Sequence, residues 1–302
     1  MPAPAPVSGI ASKFVFSNIY DLTGRVAFIT GGGSGIGRHM AHGLAANGAK
    51  VYIADFNKAN LDRTLAEWDG PKGSLNGVTI DVTNRESIQA ARDYIAEKEG
   101  RLHILVNNAG QEGPKSLFFN DMDAPEHKDA ETLGHALFEN ETLEGWSRLY
   151  TVNSASVYFV TMCFLGLLAK GSEDTPGYTS CVINTTSISA ITSCAQNHFC
   201  YNSSKAAASA LTRLLACELA LKNVPIRVNA IAPGMYETAM TKDVIPLEML
   251  DKMAGGTSPI PAKRPGKAEE MAGAIVFLAS RAGCYTNGQE LKIDGGYCVV
   301  NP

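Results

Sequence analysis

Residues 25–37, RVAFITGGGSGIG, decide the fold of this chain. The first six form a short β-rich run, and the glycine-rich turn after them leads into a helical pattern. Glycines let a backbone turn tightly and approach a pyrophosphate, and the N-terminus of the following helix offers free N–H groups and the positive end of a dipole. A glycine-rich turn alone is weak evidence for a phosphate site. Its position between a strand and a helix, however, predicts a phosphate-binding turn. Its members are Gly31, Ser34, Gly35, Ile36 and Gly37.

The second strand predicted from the sequence ends in Asp55, about 20 residues beyond this turn. A carboxylate there can accept hydrogen bonds from an adenosine ribose and repels a 2′-phosphate. Its alternative role is that of a helix N-cap. Phe56 follows in place of an arginine and Ser34 stands where a base would favour the phosphate, so both favour NAD over NADP. Arg38 and Lys58 lie near enough in sequence to weaken that preference.

Short β-rich runs and longer helical patterns alternate along the chain. The runs are RVAFIT (25–30), KVYIAD (50–55), GVTID (77–81), HILVNN (103–108), SCVINTT (180–186), IRVNAIA (226–232) and QELKID (289–294). The helical patterns cover 35–47, 57–68, 84–99, 143–170, 201–222 and 268–280. Strict alternation implies right-handed crossovers and a parallel sheet covered on both faces. The predicted fold class is therefore α/β, a doubly wound parallel sheet of about seven strands in a single domain.

The predicted domain covers residues 22–302. Residues 1–21 begin with alternating Pro and Ala and lack the basic and apolar regions of a signal peptide, so a flexible N-terminal tail is expected. Two segments, 111–142 and 234–267, each follow a strand end and exceed the usual loop length. Ligands of open α/β sheets bind beyond the carboxyl ends of strands, so both insertions are expected to form walls of a substrate pocket.

Composition narrows the classes of partner. The 302 residues are 45% hydrophobic and 19% charged, as in a soluble globular protein, and the net charge of −4 gives no footprint for nucleic acid or an anionic membrane. Residues 149–169 lack Asp, Glu, Lys and Arg and are long enough to span a bilayer, but polar residues such as Thr151 and Asn153 interrupt them. A helix buried inside a soluble protein is the better interpretation.

Seven cysteines form an odd set without a C-x-x-C pair. They lie in apolar or Ala/Ser/Thr-rich runs, which favours buried free thiols in a reducing compartment over disulfides or a metal site. We therefore expect a cytoplasmic protein without a metal.

Tyr201 and Lys205 are four residues apart at the start of an Ala-rich helical pattern, so they share one helix face. A tyrosine has a pKa of about 10 and is a poor base at neutral pH, but a neighbouring ammonium stabilises the phenolate and lowers that pKa. Taken alone, a tyrosine and a lysine at this spacing would often occur by chance. Its position after a charge-free Ser/Thr-rich stretch, downstream of a nucleotide motif, makes it a candidate acid/base centre.

With these residues the chain resembles the short-chain dehydrogenase/reductase family over about residues 22–297, apart from the 111–142 insertion. The pieces that carry the resemblance are TGGGSGIG (30–37), Asp81-Val82, NNAG (107–110), Asn153, the run ending at Ser187, YNSSK (201–205), PGMYET (233–238) and DGG (294–296). Their order and spacing together are highly specific. The resemblance implies a Rossmann-like fold and a nicotinamide cofactor.

The resemblance also implies residue roles. Tyr201 would be the general acid/base, Ser187 would hydrogen-bond the reacting oxygen, Lys205 would hold the nicotinamide ribose and lower the Tyr201 pKa, and Asn153 would seat a water of a proton relay. The remaining cofactor contacts would come from Asp81, Val82, Asn108, Ala109, Gly110, Pro233, Gly234 and Thr238.

Two positions near Tyr201 stay open. Ser187 lies 14 residues before Tyr201, one more than the family spacing, whereas Ser189 lies 12 before it. An extra loop residue would leave Ser187 in place, so Ser187 is preferred and Ser189 is the alternative. His198 is read as a solvent-exposed loop histidine, with a substrate contact as the alternative.

The sequence therefore predicts an NAD(H)-dependent oxidoreductase that interconverts a secondary alcohol and a ketone on a small to medium organic molecule. Two rival functions remain: a nucleotide-binding regulator or scaffold without turnover, and an enzyme of the same fold with a non-redox or cyclising reaction. The resemblance further implies a homodimer or homotetramer built through the two long helices.

Overall fold

Seven parallel strands make up the sheet at the centre of the protein. The computed structural model describes residues 9–236 and 260–301. The strands are β1 (Val26–Thr30), β2 (Lys50–Asp55), β3 (Ser74–Thr79), β4 (Ile104–Asn107), β5 (Ser180–Thr185), β6 (Ile226–Pro233) and β7 (Glu290–Ile293). Their order is β3-β2-β1-β4-β5-β6-β7. The predicted α/β fold with a doubly wound parallel sheet is confirmed.

Helices connect the strands. In the described residues they are α1 (Phe16–Ile19), α2 (Gly35–Ala46), α3 (Lys58–Ala66), α4 (Arg85–Glu99), α5 (Ala130–Asn140), α6 (Leu143–Tyr150), α7 (Ser156–Glu173), α8 (Phe199–Leu221), α9 (Ala268–Ala279) and α10 (Tyr297–Val300). Alternate strand residues point to opposite faces. In β1, Ala27 and Ile29 pack under α2, α3 and α9, while Val26 and Phe28 pack under α4, α7 and α8. The sheet is thus covered on both faces.

The strand order changes direction at β1. The chain moves outward from β1 to β2 and β3, and then returns to place β4 on the other side of β1. Thr30 and Asn107, which end these two strands, are register partners. Because the connections after β1 and β4 leave in opposite directions, a crevice opens beyond their carboxyl ends, where ligands of such sheets bind.

The long helical pattern predicted over 143–170 is interrupted. Between α6 and α7, residues Thr151–Ala155 form one wider, π-helical turn. In the described part of the chain, Leu143–Glu173 is the one helical stretch long and apolar enough to cross a membrane, and 56% of its most apolar window is buried. Phe164 and Leu168 pack fully buried against the sheet.

Several boundaries differ from the predictions. β3 is shifted to Ser74–Thr79, and the 111–142 insertion contains helix α5 and two 3₁₀ turns. In the segment predicted as a tail, residues 9–21 contain a 3₁₀ turn, Ile10–Phe14, followed by α1. Most of the 234–267 insertion, including Thr238, lies outside the described residues. All seven cysteines are free, as predicted, but the expectation that all are buried is wrong because Cys217 is exposed.

Candidate functional site

The glycine-rich turn after β1 forms an open backbone cradle. Gly31 and Gly35 have φ of +64° and +51°, in the left-handed region that favours glycine. A Cβ on Gly37 would overlap the Gly31 carbonyl oxygen, so this glycine permits close packing of α2 on the turn. Helix α2 begins at Gly35, after Ser34. The N–H groups of a first helical turn have no partner within the helix, so this cradle fits a pyrophosphate.

Asp55 lies beside the cradle, at the carboxyl end of β2. Its Oδ2 accepts a hydrogen bond from the Gly33 N–H at 3.3 Å and its Oδ1 accepts one from the Asn57 N–H at 2.9 Å. Asn57, whose side chain accepts from the Ala59 N–H, is the N-cap of α3. The alternative role of Asp55 as a helix N-cap is therefore wrong.

The two cations that weakened the sequence-based preference for NAD are paired. Arg38 Nη1 contacts the Glu67 carboxylate at 2.9 Å, and Lys58 Nζ contacts the Asp62 carboxylate at 2.7 Å. Exposed pairs of this kind contribute about 0–1 kcal/mol, so a strong anion could still draw the cations away. The Asp55 carboxylate, in contrast, hydrogen-bonds the turn directly at the Gly33 N–H.

The NNAG segment after β4 is tied to the phosphate turn. The backbone N–H groups of Asn108 and Ala109 donate to Thr30 Oγ1 at 3.0 and 3.1 Å. The Asn108 side-chain amide donates to the carbonyls of Thr30 and Gly31 at 3.1 and 3.0 Å. Asn108 thus holds the turn in place. From the sequence, only a contact with the cofactor was expected of this residue.

The other predicted cofactor contacts lie along the same edge of the sheet. Asp81 and Val82 follow β3, and Asp81 Oδ1 accepts from the N–H and the hydroxyl of Thr83 at 2.8 and 2.6 Å. Pro233 ends β6, and the Gly234 N–H donates to the Ile293 carbonyl at 2.9 Å.

The Ser187 hydroxyl lies close enough to Tyr201 to lower the pKa of its phenol by hydrogen bonding. Ser187 follows β5 and caps the turn Ile188–Ala190, where its Oγ accepts from the Ser189 N–H at 3.1 Å. The Ser189 hydroxyl instead points to Gln196 Oε1, 3.5 Å away. The extra loop residue is therefore accommodated beyond Ser187, and the serine that meets Tyr201 is Ser187.

Lys205 is buried one turn further along α8. Its Nζ lies 5.9 Å from the centre of the Tyr201 ring and donates to the Thr185 carbonyl at 2.9 Å. An ammonium has three donors, so two remain for a bound ribose. Burial lowers the pKa of Lys205 to about 8.

The pKa of Tyr201 differs from the sequence expectation. Burial raises it, the hydrogen bond from Ser187 lowers it by less, and the negative charge of Glu112 raises it. The expected depression by Lys205 is therefore not found, because burial penalises the phenolate more than its neighbours stabilise it. Tyr201 is a protonated phenol at neutral pH.

Asn153 lies in the π-helical turn and clamps the chain after NNAG. Its Oδ1 accepts from the Gln111 N–H at 2.9 Å, and its Nδ2 donates to the Gln111 carbonyl and to Ser204 Oγ, each at 3.0 Å. A Cβ placed on Gly110 would lie 3.3 Å from both Asn153 Oδ1 and Lys205 Nζ. Asn153 and Lys205 thus meet at one glycine. No sequence signal pointed to Gln111 or Ser204.

His198 packs its ring edge-on against Tyr201, with 6.2 Å between ring centres and 87° between planes. It is half-buried, and burial lowers its pKa, so the interpretation as a solvent-exposed loop histidine is wrong. Over residues 9–236 and 260–301, no cluster of three or more His, Cys, Asp or Glu side chains could hold a metal ion.

The chain is similar to known proteins over most of its length. Residues 31–298 match the family described as enoyl-(acyl carrier protein) reductase. A relative from Byssochlamys spectabilis, the short-chain dehydrogenase/reductase VdtF, is 34% identical over 95% of this chain and 96% of that protein.

Two solved structures with bound nucleotides share the fold. The Pseudomonas aeruginosa RhlG/NADP active-site complex superposes with a TM-score of 0.76 at 30% identity, covering 92% of this chain and 98% of that one. A 7α-hydroxysteroid dehydrogenase in complex with NADH and 7-oxo glycochenodeoxycholic acid superposes with a TM-score of 0.74 at 31% identity, covering 94% and 98%.

Proposed function

This chain belongs to the short-chain dehydrogenase/reductase family, nicotinamide-dependent oxidoreductases that act on CH–OH and keto groups, and we propose that it interconverts a secondary alcohol and a ketone with NAD(H). The observation that carries the proposal is the pair of hydroxyls on Ser187 and Tyr201, set beside the buried ammonium of Lys205. A protonated phenol next to a second hydroxyl can bind a carbonyl oxygen from two sides.

In reduction, Tyr201 donates its proton to the carbonyl oxygen while Ser187 holds the same oxygen by a hydrogen bond. The nicotinamide, when bound, supplies the hydride. Lys205 would hold the nicotinamide ribose with its two remaining donors, and Asn153 would seat a water that links Lys205 to solvent. In oxidation the proton moves the other way, so Tyr201 must first lose its proton.

We propose NAD(H) as the preferred cofactor. One related structure contains NADP and another NADH, so the family relationship leaves both open. The carboxylate of Asp55 at the turn and the ion pairs that occupy Arg38 and Lys58 support the preference for NAD(H). A 2′-phosphate would meet a negative charge and would have to break an ion pair to gain a positive one.

We also propose a small-molecule substrate and a homodimer or homotetramer. The predicted interface helices expose apolar side chains: Tyr158 and Phe159 of α7 are 44% and 43% exposed, and Leu214 of α8 is 59% exposed. Size-exclusion chromatography with light scattering measures the molar mass in solution and so tests the assembly. The mass of a monomer would contradict it. Cytoplasmic localisation, proposed from the free thiols, is tested by fractionation of cells that express the chain.

The function is tested by NADH oxidation against a panel of ketones that includes steroid and β-keto ester carbonyls. Tyr201→Phe removes the proton donor and should lower kcat by about 10²–10⁴. Tyr285→Phe is the matched control, because Tyr285 is fully exposed, and its activity should be unchanged. NADH binding without turnover on any ketone would favour a regulator, and product formation without loss of NADH absorbance would favour a non-redox reaction.

A further inference from the structure

The 111–142 insertion is fastened at its base by the carboxylate of Glu141. Glu141 lies between α5 and α6 and is half-buried. Its Oε1 accepts a hydrogen bond from Ser116 Oγ at 2.8 Å, and its Oε2 accepts one from Trp146 Nε1 at 2.6 Å. One carboxylate thus joins the start of the insertion to the helix that leads to Asn153.

Ser116 carries the connection on toward Tyr201. Its side chain is fully buried, and its Oγ also accepts from Asn140 Nδ2 at 3.1 Å. Its backbone N–H donates to the Asn197 carbonyl at 3.0 Å. Asn197 belongs to the loop that precedes α8, so Glu141 is linked through Ser116 to the segment that presents Tyr201.

That segment contains an unusual backbone turn. Gln196 and Asn197 have φ of +53° and +67°, which is a sparsely populated region for two consecutive residues other than glycine. Gln196 Nε2 donates to the hydroxyl of Tyr297, on α10, at 2.7 Å. Phe119 of the insertion packs edge-on against Phe199, with 5.0 Å between ring centres. The turn therefore joins the insertion, the loop after β5 and the C-terminal helix.

We propose that Glu141 is a positioning residue that holds the insertion against the Gln196–Asn197 turn and so sets the pocket in which the ketone meets Tyr201. The inference rests on the proposed function, because it assigns the insertion as a wall of that pocket. Glu141 contacts neither Tyr201 nor the phosphate turn in these hydrogen bonds, so its effect passes through Ser116 and Asn197.

The anchor can loosen without unfolding the sheet. No residue of α5 is buried, and no residue of the 111–142 insertion belongs to the two apolar clusters that cover the sheet faces. Segments with few buried apolar contacts open locally at a lower free energy than the core. Loss of the Glu141 hydrogen bonds should therefore affect binding of the ketone much more than binding of NADH.

Two substitutions and one control test the proposal. Glu141→Ala removes both acceptors, whereas Glu141→Gln can still accept from Trp146 and donate to Ser116 Oγ. Glu139→Ala removes a carboxylate two residues away that is exposed, so it controls for charge and for the neighbourhood of α5. The probe substrate is the ketone from the panel that the wild-type protein reduces fastest.

We expect Glu141→Ala to raise KM for the ketone about tenfold, with KM for NADH unchanged. Glu141→Gln should restore most of the loss and Glu139→Ala should match the wild type. Hydrogen–deuterium exchange of the substrate-free protein should increase in 112–127 and 194–198 for Glu141→Ala alone, and should stay unchanged in 31–37.

Two results would overturn the proposal. One is an unchanged KM for the ketone in Glu141→Ala. The other is an equal rise in exchange throughout the sheet, which would mean general destabilisation. Failure of the proposed function would appear separately, as absent turnover in the wild-type protein, and the exchange measurement would then still decide whether the anchor exists.

Discussion

Gly37→Ala is the substitution whose effect the structure predicts most sharply. Alanine is a better helix former than glycine by about 1 kcal/mol, so at an open helical site the change would stabilise the protein. At Gly37, however, the new Cβ would overlap the Gly31 carbonyl oxygen and lie 3.0 Å from the Gly31 carbonyl carbon. The Gly31 atoms are backbone and cannot rotate away, and the other close neighbour is the Asn108 side-chain amide, which itself holds the turn by hydrogen bonds.

The expected magnitude follows from these two opposing effects. Overpacking of a tightly packed site costs about 1–3 kcal/mol, which exceeds the gain in helix propensity. The difference is a net loss of about 0–2 kcal/mol in the free energy of unfolding, and overlap with fixed backbone atoms places it toward the upper end of that range. Because the displaced atoms are the phosphate turn itself, NADH affinity should also fall at least about tenfold, a change of about 1.4 kcal/mol.

Gly134→Ala is the matched control. Gly134 also lies in a helix, but a Cβ there would have no neighbour within 4 Å, so the same substitution should stabilise by about 0.5–1 kcal/mol. Urea unfolding gives the free energies and a fluorescence titration gives the NADH affinity. Equal stability and equal NADH affinity in Gly37→Ala and the wild type would refute this account of the turn.

Three further predictions concern charge and exposure. Since burial raises the pKa of Tyr201, and oxidation requires its deprotonated form, the rate of alcohol oxidation should climb with pH between 7 and about 10, and a falling rate would contradict this. Asp55→Asn should lower the ratio of kcat/KM for NADH to that for NADPH about tenfold, and an unchanged ratio would remove the argument for NAD(H). Cys217, which is exposed, should react with a thiol reagent in the native protein, whereas Cys181, fully buried and with its pKa raised to about 11, should react only after unfolding.

The strands of the sheet interior and the edge strand β7 could be read from the sequence, but the bounds of the other edge strand, β3, could not. β1, β4, β5 and β6 are buried on both faces and therefore appear as apolar runs. β3 is an edge strand with no buried residue and contains Ser74, Asn76 and Gly77, so its start is set by pairing with β2 rather than by propensity.

Features that depend on tertiary contacts were missed. The π-helical turn at Asn153 coincides with a side chain that clamps Gln111, a residue 42 positions earlier. Helix α5 had one local signal, its N-cap Asp129, which accepts from the Thr132 N–H at 2.8 Å. Because none of its residues is buried, the helix lacks the regular spacing of apolar residues that would have predicted it. The raised pKa of Tyr201 depends on burial, for which the Y-x-x-x-K spacing carries no information.

The sequence predicted which residues make up the candidate site, but it did not predict most of the contacts between them. Ser187, Tyr201, Lys205 and Asn153 converge because the carboxyl ends of parallel strands meet at one edge of the sheet. The sequence could not show which groups hold the site residues in place. Thr30 Oγ1, for example, accepts from the Asn108 N–H, and the Thr185 carbonyl accepts from Lys205. Backbone partners of this kind carry no residue-type signature.

The most direct test of the central claim follows the hydride itself. NADH carrying deuterium on both faces of C4 is incubated with the best ketone of the panel, and the product alcohol is examined by mass spectrometry. We predict one deuterium on the carbinol carbon with the wild-type protein, and transfer slowed about 10²-fold or more in Tyr201→Phe. An alcohol without deuterium, or equal transfer rates for the two proteins, would contradict the proposed reaction.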